Sequence, residues 1–307
     1  MLSMTESLNR DRPRRGLRTA DWIVFAYLLV ESALIVLFAR RPESEWLFNL
    51  GVNALMAAAI FLLVWCAKRS GLRAVRIVRD WYPAFYVLLI FKQLGVLVPA
   101  VHPATYDDLL LVWDRAIFGR HPGEFFDAIS SPIVTEIMRG CWLSYFVLPF
   151  VLCVPLYLRP KRAAFDEAVS VLVCGWLISY LGYYALPALG PGYFPQTIPA
   201  PTCVNDPGVT QSVALTLFSL EGRMHDIFPS GHTIIALLVL WQAARHKLPL
   251  WPLLVPPICG LILGTVYLRY HYGVDVLAGF LIALGVIAAT VAGRGKGNAQ
   301  APITSRA

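Results

Sequence analysis

Charge is what this chain has least of. Of its 307 residues 15% are charged and 57% hydrophobic, and the mean hydropathy is +0.61. A soluble globular domain carries nearer a quarter charged residues, so the composition excludes one and indicates a polytopic membrane protein. Cysteines are few and scattered. Cys66, Cys141, Cys153, Cys174 and Cys259 lie in apolar runs and Cys203 stands alone in a loop, a pattern with neither a disulfide framework nor metal-ligand spacing. No cleavable signal peptide is expected: the first 20 residues are polar and basic and lead into an apolar stretch long enough to span. Internal repeats are also lacking. The net charge of +7 does not mark a nucleic-acid partner, because the basic residues stand where membrane topology requires them.

The apolar runs predict an all-α bundle. At about 20 apolar residues per span, eight transmembrane helices are expected near 21–39, 46–66, 82–100, 133–158, 166–186, 231–246, 250–269 and 273–292. Lys and Arg concentrate on the cytoplasmic side of a membrane protein. With the amino terminus inside, 18 of the 26 fall in cytoplasmic segments, while the outer loops hold only Arg40, Arg41, Arg115, Arg120 and Arg223. Both termini are therefore predicted to be cytoplasmic in a multi-pass plasma-membrane protein. Two outer segments are long. Residues 101–132 mix five acidic residues with Leu, Trp and Phe, as in an amphipathic helix at the interface. Residues 187–229 are proline-rich and predict an irregular cap. The last dozen residues are polar and read as disordered.

Two short polar segments interrupt the apolar runs near the carboxyl end. In Phe228-Pro229-Ser230-Gly231-His232-Thr233, Ser230 suits a helix N-cap. The unpartnered amides of a helix start, with the positive end of its dipole, favour a phosphate. Gly231 permits close approach, and His232 stands beside the anion. In Arg269-Tyr270-His271-Tyr272-Gly273-Val274-Asp275, the carboxyl of Asp275 can reach one nitrogen of His271 from four residues on, leaving the other as a nucleophile. The topology brings both histidines to the same outer face. The competing readings are a buried polar trio that pins helices together, and a zinc site, for which the spacing is unsuitable.

Pro229-Ser230-Gly231-His232 and the run from Tyr267 to Gly279 resemble the last two motifs of the phosphatidic acid phosphatase type 2 superfamily. The resemblance covers about 50 residues. It implies a six-helix catalytic core at 81–292 behind a basic tail at 1–20 and two additional helices at 21–80, with a tail at 293–307. It also implies attack of His271 on phosphorus, a phosphohistidine, protonation of the leaving alcohol by His232, orientation of His271 by Asp275, and no metal or other cofactor. The superfamily's phosphatases usually carry a Ser-Arg pair six residues ahead of the second histidine, where this chain has Gly264-Thr265. They also carry upstream cations that Ala185-Leu186-Pro187-Ala188-Leu189-Gly190-Pro191 lacks. A branch keeping the His-His-Asp set without those cations is similar to inositolphosphorylceramide and sphingomyelin synthases, which move a phospho-alcohol between lipids. The stretch from Trp113 through Asp114 and His121 to Pro122 looks like bacterial relatives of that inositolphosphotransferase branch.

A phosphodiester monoanion needs less cationic neutralisation than a phosphomonoester dianion, which matches the missing arginines. Candidate phosphate contacts are Ser230, Gly231 and Arg269. Arg139 and Lys92, placed inside apolar spans where ionisable residues are costly, could replace the absent cations or snorkel to the headgroups. Arg223, His225 and Asp226 could touch a headgroup from the loop. The expected function is phosphotransfer of a headgroup to a lipid or polyol. Hydrolysis of a lipid phosphate or polyprenyl pyrophosphate is the alternative, and a non-catalytic lipid transporter is a third reading. The expected partners are a phospholipid or polyprenyl phosphate and the bilayer, with no nucleic acid.

Overall fold

The computed structural model describes residues 16–38, 43–160, 162–221 and 225–299. Arg223 and most of both tails lie outside them. The described residues form eleven α-helices and no strands. These are α1 (Thr19–Phe38), α2 (Glu43–Arg69), α3 (Arg73–Val101), α4 (Asp107–Phe118), α5 (Pro132–Leu143), α6 (Leu148–Leu158), α7 (Ala163–Ala185), α8 (Val209–Glu221), α9 (Gly231–Arg245), α10 (Val255–Tyr267) and α11 (Gly273–Ala299).

Among them α1, α2, α3, α7 and α11 are long and apolar enough to cross a membrane, and α5 with α6 makes a sixth candidate bent by 42°. The sequence predicted one straight span at 133–158. It breaks because Pro149 lacks the N–H that would continue the ladder, and the Ser144 hydroxyl donates back to the carbonyl of Cys141. The expected spans at 231–246 and 250–269 are shorter helices, α9 having 15 residues and α10 13 after a 3-10 turn at Trp251–Leu254.

Other boundaries shift for electrostatic reasons. Helix α3 begins at Arg73, so the division expected at 80/81 falls inside it. Arg76, Arg79 and Asp80 read as loop because they are charged, yet they occupy a helix end with partners. Arg79 Nη1 donates to Asp21 Oδ1 over 3.0 Å, and Arg18 pairs with Asp80 at 3.2 Å. Residues 187–229 contain a helix, α8, that the proline content concealed. Residues 101–132 fold as α4 and a 3-10 turn at Pro122–Ile129. Gly119, at φ +80°, ends α4 in the left-handed conformation that glycine adopts without penalty.

The two largest of four apolar clusters among the described residues hold the bundle. One joins α6, α7, α9 and α10 through Leu152, Leu172, Ile235 and Leu261. The other packs α1, α2 and α3 on the opposite side of α7 through Ile35, Ile60, Ile90 and Leu177. The second core encloses Glu31, which is fully buried. Its carboxyl accepts hydrogen bonds from Tyr27 Oη at 2.9 Å, Tyr184 Oη at 3.0 Å and Asn53 Nδ2 at 3.1 Å. The acid thereby fastens α1 to α2 and α7. Helix α9 lies at the centre, against α7, α11, α10 and α6, and its first turn carries His232.

Candidate active site

Ser230 precedes α9 in extended conformation, and its side chain accepts from the amide of Thr233 at 3.3 Å, so it is the N-cap read from the sequence. Its own amide donates to the carbonyl of Asp275 over 3.1 Å, joining the starts of α9 and α11. That approach requires small residues. A Cβ on Gly279 would lie 2.7 Å from the Ser230 carbonyl oxygen and 3.1 Å from Thr233 Cβ, and one on Gly231 would lie 2.8 Å from Tyr183 Oη. Gly279→Ala is therefore expected to push the two helix starts apart. We expect it to cost about 1–3 kcal/mol of stability through overpacking and to lower turnover roughly tenfold or more by moving His232 from His271. Melting and activity of the purified variant measure both, and a variant matching wild type in each would remove the spacing argument.

The chain leaves α10 through residues 268–272. Amides of Tyr270 and His271 both donate to the Thr265 carbonyl, at 2.9 and 3.0 Å, while Arg269 adopts φ +61°. His271 thus stands in a bend ahead of α11 and not on a helix, as the spacing to Asp275 had suggested. Asp275 sits in the first turn of α11, where Oδ2 accepts from the Tyr272 amide at 2.9 Å.

The two imidazoles meet. His232 Nδ1 is 3.1 Å from His271 Nε2, and Trp142 Nε1 is 3.1 Å from His232 Nε2. An indole nitrogen only donates, so His232 Nε2 presents its lone pair and the ring proton resides on Nδ1. That proton points to His271 Nε2, which must accept. The His271 proton then resides on Nδ1, 3.5 Å from Asp275 Oδ2. This donor order fixes both tautomers and sets the His271 Nε2 lone pair against the His232 Nδ1 proton, at the wall of the cavity that both rings line. Nδ1 of His271 and Oδ1 of Asp275 are buried without a hydrogen bond, and such contacts often tighten only when substrate binds. Burial pushes the His271 pKa down to about 4, against the opposing pull of Asp226 and the Ile227 carbonyl. The ring is uncharged at neutral pH, the state a nitrogen nucleophile needs.

Both histidines line a cavity of about 1040 Å³, together with Trp142, Asp226, Arg269 and Tyr270. Ser230 is fully buried behind it. The expected cations are otherwise occupied. Arg269 is 2% exposed, and its guanidinium donates to Asp127 Oδ1 at 2.6 Å, the Pro199 carbonyl at 3.1 Å and the Tyr267 carbonyl at 3.1 Å. Arg139, fully buried, holds the Val204 carbonyl at 2.6 Å and Glu136 at 3.2 Å. Lys92 donates to the Leu220 carbonyl. Arg139 and Lys92 therefore tie the segment 187–229 to the bundle, and neither lines the cavity.

Sequence reasoning missed the groups that hold the His271 bend. Asp114, fully buried, accepts from the amides of Gly273 at 3.0 Å and Val274 at 2.8 Å and bonds His121 Nδ1 at 2.9 Å. Asp107 accepts from the amide of Gly190 at 2.9 Å and from Tyr272 Oη at 3.1 Å. Both had read as the polar face of an interfacial helix. The one available signal was the Trp113–Pro122 stretch. Trp142 had no signal, being one aromatic among many in an apolar run.

The model of the PAP2 superfamily matches residues 108–289. The chain is also 31% identical over 281 residues to the phosphoinositol dihydroceramide synthase of Bacteroides thetaiotaomicron, an alignment covering 76% of this chain and 88% of that one. No solved structure matches the chain.

Proposed function

The chain belongs to the PAP2 superfamily and is a lipid phosphotransferase or phosphatase, and from that premise we propose that it transfers a phospho-alcohol headgroup from one lipid to another through a phosphohistidine on His271. The reading rests above all on the 3.1 Å contact between the two imidazoles inside the cavity. A phosphodiester enters between the rings. Its charge meets the amide groups at the start of α9, at Gly231 and behind the Ser230 cap. The Nε2 lone pair of His271 attacks phosphorus and the bond to the lipid alcohol breaks. The Nδ1 proton of His232 passes to the departing oxygen. In the second half the acceptor hydroxyl attacks phosphorus, returns its proton to His232 and frees His271. Asp275, 3.5 Å from Nδ1, takes the His271 Nδ1 proton in a hydrogen bond as the contact tightens on substrate.

Scarcity of free positive charge supports transfer of a diester over hydrolysis of a monoester. Among the described residues lining the cavity Arg269 is the one Arg or Lys, and its guanidinium is already shared with Asp127. The Bacteroides relative is named for making phosphoinositol dihydroceramide, so an inositol phosphate headgroup and a ceramide-type acceptor are the first pair to supply. By the distribution of Lys and Arg, the protein sits in a plasma membrane with both termini in the cytoplasm and the histidines at the outer face.

Lipid-product analysis tests the reaction. Purified protein in vesicles holding labelled phosphoinositol lipid and ceramide is expected to move the label onto ceramide. Release of label into water as the main product, with or without acceptor, would make the protein a hydrolase instead.

A further inference from the structure

The cavity that holds the histidines continues well past them, and its far half contains no group that the chemistry uses. On α7 its lining runs from Tyr183, beside Gly231, down to Val169. At ~1.5 Å per residue this is a length of about 21 Å, more than the ~15 Å of half a bilayer's hydrocarbon core. Beyond Tyr145 the walls are largely apolar: Val87 and Phe91 on α3, Phe150 on α6 and Leu172 on α7.

At the far end the lining includes Asp80 and Trp81. Asp80 is paired with Arg18 at 3.2 Å, and the Trp81 ring packs on Phe165 and Tyr157 at centroid distances of 5.3 and 5.5 Å. A charged, wedged floor of this kind stops a hydrocarbon. One side is open. Leu88 on α3 and Phe150 on α6 both line the cavity, yet are 62% and 50% exposed, so the gap between these helices faces the bilayer.

We propose that the slot between α3, α6 and α7 holds one extended hydrocarbon chain of the lipid whose headgroup meets His232 and His271, and that Trp81 limits the length it admits. The inference rests on the lipid-headgroup reading above. Carbon–carbon bonds of ~1.5 Å advance a zigzag chain by ~1.3 Å each, so about 21 Å of slot takes a chain of roughly sixteen carbons. The chain enters sideways past Leu88 and Phe150 without leaving an apolar medium. Selection by length then comes from contact and from the floor, because the hydrophobic effect contributes little between lipid and slot.

Ala84 lines the slot one helical turn above Asp80, so Ala84→Phe fills it just over the floor. The experiment measures the ratio of kcat/KM for sixteen-carbon over eight-carbon donors with the same headgroup. A ratio cancels any loss of folded protein. We expect it to fall about tenfold, the factor for overpacking by ~1.4 kcal/mol, because an eight-carbon chain ends short of residue 84. Trp81→Ala, which removes the floor, is expected to raise the ratio for longer chains over sixteen carbons. Binding is read separately in His271→Ala protein, by thermal stabilisation with the same chain-length series with and without Ala84→Phe. An unchanged ratio in both variants overturns the slot. A shifted binding ratio from a protein that turns over no phospholipid donor keeps the slot and overturns the transfer reaction instead.

Discussion

His271→Ala protein that inserts and melts like wild type is expected to turn over its donor at least about 10⁴-fold more slowly, the scale set by removing a covalent nucleophile. The side chain deleted is the one whose Nε2 a directed chain of donors, running from Trp142 through His232, keeps unprotonated, and whose lone pair is released when the departing oxygen takes up the His232 proton. The His232 Nε2 lone pair is taken by the Trp142 indole, and the carboxyl of Asp275 is turned toward the Tyr272 amide. Incubation with phosphate-labelled donor and an acid quench gives a second measurement. Wild type is expected to carry acid-labile label and the variant none. A stable variant with turnover within tenfold of wild type would exclude His271 as the nucleophile.

Asp114→Ala is expected to produce the largest loss of stability, although the residue touches no substrate. Its two oxygens receive the amides of Gly273 and Val274 and a nitrogen of His121, all out of water. Each orphaned buried donor costs about 1–3 kcal/mol, a large part of the ~5–15 kcal/mol that holds a typical protein folded. Melting in detergent is expected to fall by roughly 10 °C. Activity should drop with it, since Gly273 follows the His271 bend by two residues. Asp114→Asn keeps the shape and one acceptor oxygen, and should fall between the two. A melting point for the alanine variant within a degree or two of wild type would show that other groups hold the bend.

The sequence disclosed the bundle and the chemical groups more readily than the way they are fixed. Long apolar runs announce helices whatever packs around them, and Ser230, His232, His271 and Asp275 stood out because polar residues at the edge of apolar runs are conspicuous. Asp107 and Asp114 show the opposite case. On a helix with a polar face, a buried acid and a solvated one look alike until the partner amides are known, and those amides come from Gly190 and Val274, more than eighty residues away. Arg139 was conspicuous for the right reason, being a cation among apolar residues, but its partners include Val204 and Thr210, far along the chain in the segment before α9. Helix α8 was concealed by the prolines that precede it. Length and hydropathy describe a span, whereas a kink such as that after Leu143 depends on a proline's missing donor and a serine's back-bond.

Glu31 has a consequence for biogenesis. A chain enters the membrane from its amino end, so α1 is delivered well before α7, which carries Tyr184. Tyr27 and Asn53 can greet the acid early, but the third donor, the Tyr184 hydroxyl, arrives only after several more segments have been synthesised. Until then the first hairpin is an unfinished guest in the lipid, and the insertion machinery must retain it, or let water follow it, until a late helix completes its docking.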